Sequence, residues 1–209
     1  MMKRALLAAA FAASLAGCVS VLPEPTIPSA LIALPAERAK APDVQLQADV
    51  SVLPPDATRA FAGVDIAVAS GQELVFLPDV RWADAAPRLM QGAVVDALSK
   101  AGGPGHVMTV QQGVRTDYEL RWRIVDFSVG RGTNPVSVVV TASLADSETR
   151  RLIAQETFRA TGTPESAEPR ARAATLAAAA QDAADQVAAF AARHAVAVDP
   201  ADRDGRRPR

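Results

Sequence analysis

The strongest constraint on the fold lies in the second half of the chain. Four segments, 106–111, 117–129, 136–146 and 152–161, carry alternating apolar and polar side chains and are separated by glycine-rich or polar turns. A period of two puts every second side chain on the same face, which describes a strand with one face buried. Four such segments in succession predict an antiparallel meander. Within 117–129 the parity changes: Tyr118, Leu120, Trp122 and Ile124 share one face, whereas Val125, Phe127 and Val129 hold the other. One extra residue near Ile124 and Val125 restores the register, so a β-bulge is expected there. The loop Gly130-Arg-Gly-Thr-Asn-Pro135 reads as a hairpin turn and not as a phosphate cradle, because no Lys-Ser/Thr pair follows its glycines.

Upstream, Val44, Leu46, Ala48, Val50 and Val52 repeat the alternation until Pro54-Pro55-Asp56 stops it. Val64, Ile66 and Val68, the turn Ser70-Gly71-Gln72, and Leu74 to Leu77 ending at Pro78 predict a hairpin. A helix fits 84–101, with Asp84 as N-cap, Pro87 in the first turn and Gly102-Gly103 as the stop. Its apolar face is Met90, Val94, Ala97, Leu98 and Ala101. A longer helix fits 169–195, where Ala173, Leu176, Ala180, Ala183, Val187, Phe190 and His194 recur at spacings of three and four. Its alanines allow close approach to a sheet. The fold class expected is α+β: an antiparallel sheet of about six to seven strands, with two helices on one face, the second long and C-terminal.

The chemistry available to the chain is limited. Of 209 residues, 49% are hydrophobic, and 22 basic side chains face 23 acidic ones, for a formal net charge of -1. That composition describes one folded domain, and the near-neutral charge argues against a nucleic-acid partner. Arginine outnumbers lysine 19 to 3 and alanine supplies 45 residues, a compositional bias to be discounted before function is inferred. With one cysteine, an intramolecular disulfide and a multi-cysteine zinc site are both excluded. His106 and His194 belong to different elements and to no metal-binding spacing, so no metal and no cofactor are expected. Ser70-Gly71 is a turn without the glycine that precedes a nucleophile elbow. Asp117, Glu119 and Asp126 form a carboxylate pair only by free choice among 23 acids. No catalytic residue is expected.

The N-terminus is the most informative segment. Lys3-Arg4 precedes an apolar stretch from Ala5 to Ala16, too short for a permanent membrane span, as in an export signal covering residues 1–17. Its end, Leu15-Ala-Gly-Cys18, resembles the lipobox of bacterial lipoproteins. That resemblance implies cleavage between Gly17 and Cys18 and a lipid on the Cys18 thiol, leaving a mature net charge near -3. Val19 stands where an aspartate would signal inner-membrane retention, so the same resemblance points to the outer membrane. Residues 18–43 contain Pro23, Pro25, Pro28, Pro35 and Pro42 and read as a semi-rigid tether. The run Ser29 to Leu34 within it is a candidate edge strand. The folded domain is then expected at 44–198, and 199–209 as a disordered tail whose arginines Arg206, Arg207 and Arg209 have little apolar company.

The order lipobox, proline-rich tether, hairpin, helix, strands and alanine-rich terminal helix resembles the ABC-type transport auxiliary lipoprotein family. These are the lipoprotein partners of mammalian-cell-entry (MCE) transporters, including the paraquat-inducible group. The likeness is carried by Asp65-Ile-Ala-Val68, Leu74-Val-Phe-Leu77, and Arg81-Trp-Ala-Asp84 leading into Pro87-Arg-Leu-Met90. Further on it is carried by Asp117-Tyr-Glu-Leu120, Asp126-Phe127, Leu144-Ala-Asp146 and Thr157-Phe158. The resemblance implies a non-catalytic, outer-membrane-anchored periplasmic subunit. Its implied partners are an MCE-domain protein and an ABC permease that together move lipid between membranes. A homo-oligomeric ring would suit ring-forming MCE proteins by analogy alone. The alternative is an envelope assembly or scaffolding lipoprotein serving an outer-membrane protein. Replacing Cys18 by serine is expected to abolish palmitate labelling and to move the protein from the detergent phase to the aqueous phase of a Triton X-114 partition.

Overall fold

The computed structural model describes residues 27–198, so the expected signal segment 1–17, the expected Gly17/Cys18 cleavage junction, residues 18–26 of the expected tether and the expected tail 199–209 lie outside the described residues. The molecule is α+β, with a mostly antiparallel but mixed nine-stranded sheet and two helices on one of its faces. The strands are β1 (Ala30–Ile32), β2 (Val50–Val52), β3 (Asp56–Ala57), β4 (Asp65–Ser70), β5 (Glu73–Trp82), β6 (Val107–Thr109), β7 (Tyr118–Gly130), β8 (Val136–Asp146) and β9 (Leu152–Gly162). The helices are α1 (Ala86–Ser99) and α2 (Pro169–His194).

β7 is the spine. One edge runs antiparallel to β8, with Tyr118 opposite Asp146 and Ser128 opposite Ser137, and β8 continues the meander into β9. The other edge is tiled by three short parallel strands in succession: β2 against Tyr118–Leu120, β3 against Arg123–Ile124, and β4 against Ser128–Gly130. Pro54 and Pro55 explain the first break, since neither can donate to the ladder. A 3-10 turn, Arg59–Phe61, makes the second. Beyond them, β4 pairs with β5 and β5 with β1 at one end, while β6 lies outside β2 at the other. The bulge falls where the parity change put it: Ile124 faces Val140 and Asp126 faces Val139, leaving Val125 extra and half-exposed.

Several expectations are corrected. Segment 106–111 does not hairpin onto β7. It arrives from α1 as β6, parallel to β2, and leaves through a 3-10 turn at Val110–Gln112 with a Thr109/Gln112 capping box and Gly113 at φ 64. The alternation over 44–52 is real in burial, as Leu46, Ala48, Val50 and Val52 are all buried, yet only the last three residues form a ladder. β5 does not stop at Pro78. It carries extra residues between Phe76, opposite Ala67, and Arg81, opposite Asp65, and the irregularity takes up Pro78 and the left-handed Asp79 (φ 57). Asp84 does not cap α1: the N-cap is Ala85, whose N–H donates to Asp84 Oδ1 (2.7 Å), and Asp84 pairs with Arg88 (3.4 Å). The count exceeds the expected six to seven strands because β3 has two residues and the edge strand β1 has three.

The core lies between sheet and helices. Val136, Val138, Val140, Ala142 and Leu144 of β8 and Leu120, Trp122, Ile124, Phe127 and Val129 of β7 point toward α2. Trp82 and Phe127 pack with ring centroids 5.2 Å apart, and Phe158 meets Phe190 edge-on at 5.7 Å. Two buried polar groups hold the exit of β2: Gln91 Nε2 donates to Val52 O (2.8 Å) and Trp122 Nε1 to Leu53 O (2.8 Å). Burial on α2 is wider than the predicted stripe and includes Ala177, Ala179, Ala184, Ala188, Ala191 and Ala192, because α1 packs beside it while the sheet packs beneath. Gly105 is required by contact, since a Cβ there would collide with the backbone of Ala48.

Close packing against alanine makes a sharp test. Ala183→Leu is expected to destabilise the fold by about 1–3 kcal/mol through overpacking. Ala178→Leu, on the exposed side of the same helix, should stay within about 0.5 kcal/mol of the parent in a denaturant titration.

Candidate functional site

Three surface features distinguish this domain from a bare sheet-and-helix sandwich. The first is the clamp on residues 29–40, the chain that leads into the domain. Ser29 donates both its N–H and its hydroxyl to Asp79 O (2.8 and 2.9 Å), and Arg170 of α2 donates to Ser29 O (2.7 Å). After β1 and a 3-10 turn at Ala36–Arg38, Lys100 Nζ at the end of α1 donates to Ala36 O and Ala39 O, both at 2.7 Å. Lys40 then grips α2: its N–H donates to Asp185 Oδ1 (3.1 Å) and its ammonium to Asp182 Oδ1 (3.1 Å). Gln181 Nε2 donates to the same Asp185 oxygen (3.0 Å). The hydrogen bond to Asp182, reinforced by the charges of Asp182 and Asp185, raises the Lys40 pKa above the ordinary lysine value. Between this segment, Ala160 and Thr161 of β9, and Gln186 and Ala189 of α2 runs a solvent-open groove of about 510 Å³. Its walls mix the charged and amide groups of Lys40, Asp43, Asp182, Asp185 and Gln186 with Ala41, Pro42, Ala160 and Ala189.

The second feature is the open face of the sheet. Glu119 there accepts from Arg121 (2.6 Å) and from Arg150 (3.0 Å), and the Thr141 and Thr157 hydroxyls meet across β8 and β9 at 3.0 Å. These groups saturate one another. The third is the outer arm of the β4–β5 hairpin, where Leu74, Val75 and Phe76 are each about half exposed. The hairpin strand expected over Leu74 to Leu77 is present, with Leu77 buried and these three half exposed. Their lack of alternation was the available signal that one face alone could not cover them.

The residues considered for chemistry from sequence are not brought together. His106 Nδ1 lies 3.1 Å from Asp49 Oδ1, which also accepts the His106 N–H (2.9 Å), while His194 packs on Phe190 at 4.9 Å. Asp117 accepts the Asp49 N–H (3.0 Å), Glu119 holds its two arginines, and Asp126 accepts from Ser128 (2.8 Å). Each carboxylate therefore serves a local structural bond. Ser70-Gly71 is the hairpin turn, with Gly71 at φ 64. Among the described residues no group of three His, Cys, Asp or Glu side chains converges as for a metal. The buried Arg172 reaches Gly130 O (2.6 Å), and desolvation lowers its pKa below the ordinary arginine value.

Residues 30–188 match the ABC-type transport auxiliary lipoprotein component family. The chain belongs to that family. Its members are auxiliary transporter lipoproteins, a non-catalytic kind of protein. The fold is shared with a Xanthomonas campestris protein of known structure, at 19% identity over 85% of this chain and 98% of the other, with a TM-score of 0.68. It is also shared with a second, uncharacterised protein at 15% identity over 77% and 97% of the two chains, TM-score 0.61. No curated protein matches the sequence. No helix among the described residues of this family member is long and apolar enough to cross a membrane.

The Lys40 clamp yields a signed prediction. Because the folded-state pKa is raised, its stabilisation is present below the unfolded lysine value and is lost as pH rises through the folded value. Lys40→Met should therefore melt slightly below the parent at neutral pH, by the small amount expected of an exposed pair. The two melting curves should converge as the pH passes the raised Lys40 value.

Proposed function

We propose that this auxiliary lipoprotein is held by lipid on Cys18 in the outer membrane, facing the periplasm. There it is the non-catalytic subunit that tethers the periplasmic parts of an MCE-type ABC lipid transporter. The observation that carries this reading is the match of residues 30–188 to the auxiliary lipoprotein family on a chain whose own N-terminus ends in Leu15-Ala-Gly-Cys18. Several acyl chains at about 0.8 kcal/mol per buried methylene make an essentially permanent anchor, whereas one chain would be reversible. An anchored subunit needs docking surfaces more than a pocket. The periplasmic partner proposed is an MCE-domain protein with its associated permease, and a homo-oligomer suits a ring-forming partner.

The clamp supports the tethering role mechanically. A pull on the tether is passed through the Ser29–Asp79 bonds, Lys100 and the Lys40–Asp182 pair into both helices and β5. The load is then borne by the sandwich and not by a free loop.

The test is a mild-detergent purification of the tagged, acylated protein from its native envelope, with partners identified by mass spectrometry. Recovery of an MCE-domain protein or its permease is expected. Recovery of a β-barrel alone would overturn the transport reading in favour of an assembly or scaffolding lipoprotein.

A further inference from the structure

The exposed arm of the β4–β5 hairpin lies where the tether enters the domain. Leu74, Val75 and Phe76 are 44%, 51% and 50% exposed, and Ile27 is 86% exposed. Pro28 and Phe76 line one shallow cleft together with Pro78, and Ser29 bonds to Asp79, so the incoming chain runs directly beside the arm. Four large apolar side chains thus gather at one pole of the molecule, an arrangement that in a soluble protein marks an interaction surface. Eight residues, 19–26, separate Ile27 from Cys18, nine residue steps along the chain. At ~3.1 Å per residue they span about 28 Å at most, whereas a compact domain of this length is about 40 Å across. With Cys18 acylated, the pole bearing the arm is therefore the one nearest the anchor, within about 28 Å of the bilayer.

We propose that the arm Leu74–Phe76, with Ile27, docks into the surface of the membrane that carries the lipid anchor. This rests on acylation of Cys18. The acyl chains supply attachment, and the arm supplies orientation: it fixes which pole faces the lipid and turns the opposite pole, with the β8–β9 turn, toward the periplasm. A lipid surface fits the arm better than an added strand. On its outer edge, Pro78 offers no N–H and Asp79 leaves the extended conformation at φ 57, so the ladder available to a strand is short. Moreover, the apolar side chains are consecutive and so point to both faces of the ribbon. A strand would cover the backbone edge and leave them wet, whereas a fluid interface surrounds both faces. The attraction is apolar: Glu73 carries a negative charge on the arm itself, and Arg81 is paired with Asp65 (3.1 Å).

The experiment uses the acylated protein in vesicles of phosphatidylethanolamine and phosphatidylglycerol, with and without brominated acyl chains. Val75→Cys carries an environment-sensitive fluorophore, and Leu74→Cys is a second probe position should the first perturb folding. Arg151→Cys, in the β8–β9 turn at the far end of the sheet, is the reference. With Cys18 blocked as a thioether, each engineered thiol is the only one that labels. Bromolipid quenching at position 75 or 74 is expected to exceed that at position 151 by about threefold or more, and to persist in 1 M salt. Quenching equal to that at position 151, or lost in high salt, overturns the docking. So does a blue-shifted but unquenched probe, which would place a protein against the arm. If Cys18 of the parent protein itself takes the label and the protein stays in the aqueous phase, the anchor fails and the docking with it. An acylated protein with an unquenched arm defeats the docking alone.

Discussion

The structure depends on the double pairing of β7. Ten of its thirteen residues pair with β8 along one edge, and the other edge holds three unrelated short strands. β2 and β3 are too short to persist alone, and what fixes them is that β7 offers a rigid row of donors and acceptors already ordered by β8. The bulge at Val125 keeps this possible. Without it, Phe127 and Val129 would point away from the helices, and the end of β7 that seats β4 would expose its apolar face.

The helix layer answers the sheet. α2 crosses β9, β8, β7, β5 and β1, so one element gathers strands from both ends of the chain. It can do so because its buried face is mostly alanine, broken by Leu176, Val187 and Phe190 where the sheet surface recedes. The clamp on residues 29–40 is then a consequence of topology: β1 lies parallel to β5 at the sheet edge, and the chain leaving it crosses the end of α1 and the middle of α2 on its way to β2. Lys40 and Lys100, two of only three lysines in the chain, both lie on that crossing.

Much of this was legible beforehand. The meander of β7, β8 and β9 and the bulge follow from period-two burial, and the long terminal helix from its three-and-four spacing, since each is a local consequence of which side chains must leave water. Pro35 and Pro28 bracketed the edge strand. What was not legible is partner choice. Segment 106–111 has the alternation of a hairpin strand, yet whether it pairs with β7 or β2 is decided by the crossover through α1. The Lys40–Asp182 pair joins residues 142 positions apart, and no local pattern marks it. Leu74–Phe76 lacks alternation, a sign that one face alone could not cover it, but that its outer edge stays uncovered is decided by β1 pairing only with Val80–Trp82.

The sequence by itself determined the α+β class, the elements with their buried faces, and the lipobox-like run Leu15-Ala-Gly-Cys18, because periodicity, turn chemistry and a short motif are properties of neighbouring residues. Only the tertiary structure decided that the sheet is mixed, that residues 29–40 are gripped by both helices, and that an apolar arm stands beside Pro28 and Ser29. Those depend on contacts between distant segments, where many pairings satisfy the same local pattern and the packing of one sheet on two helices selects among them.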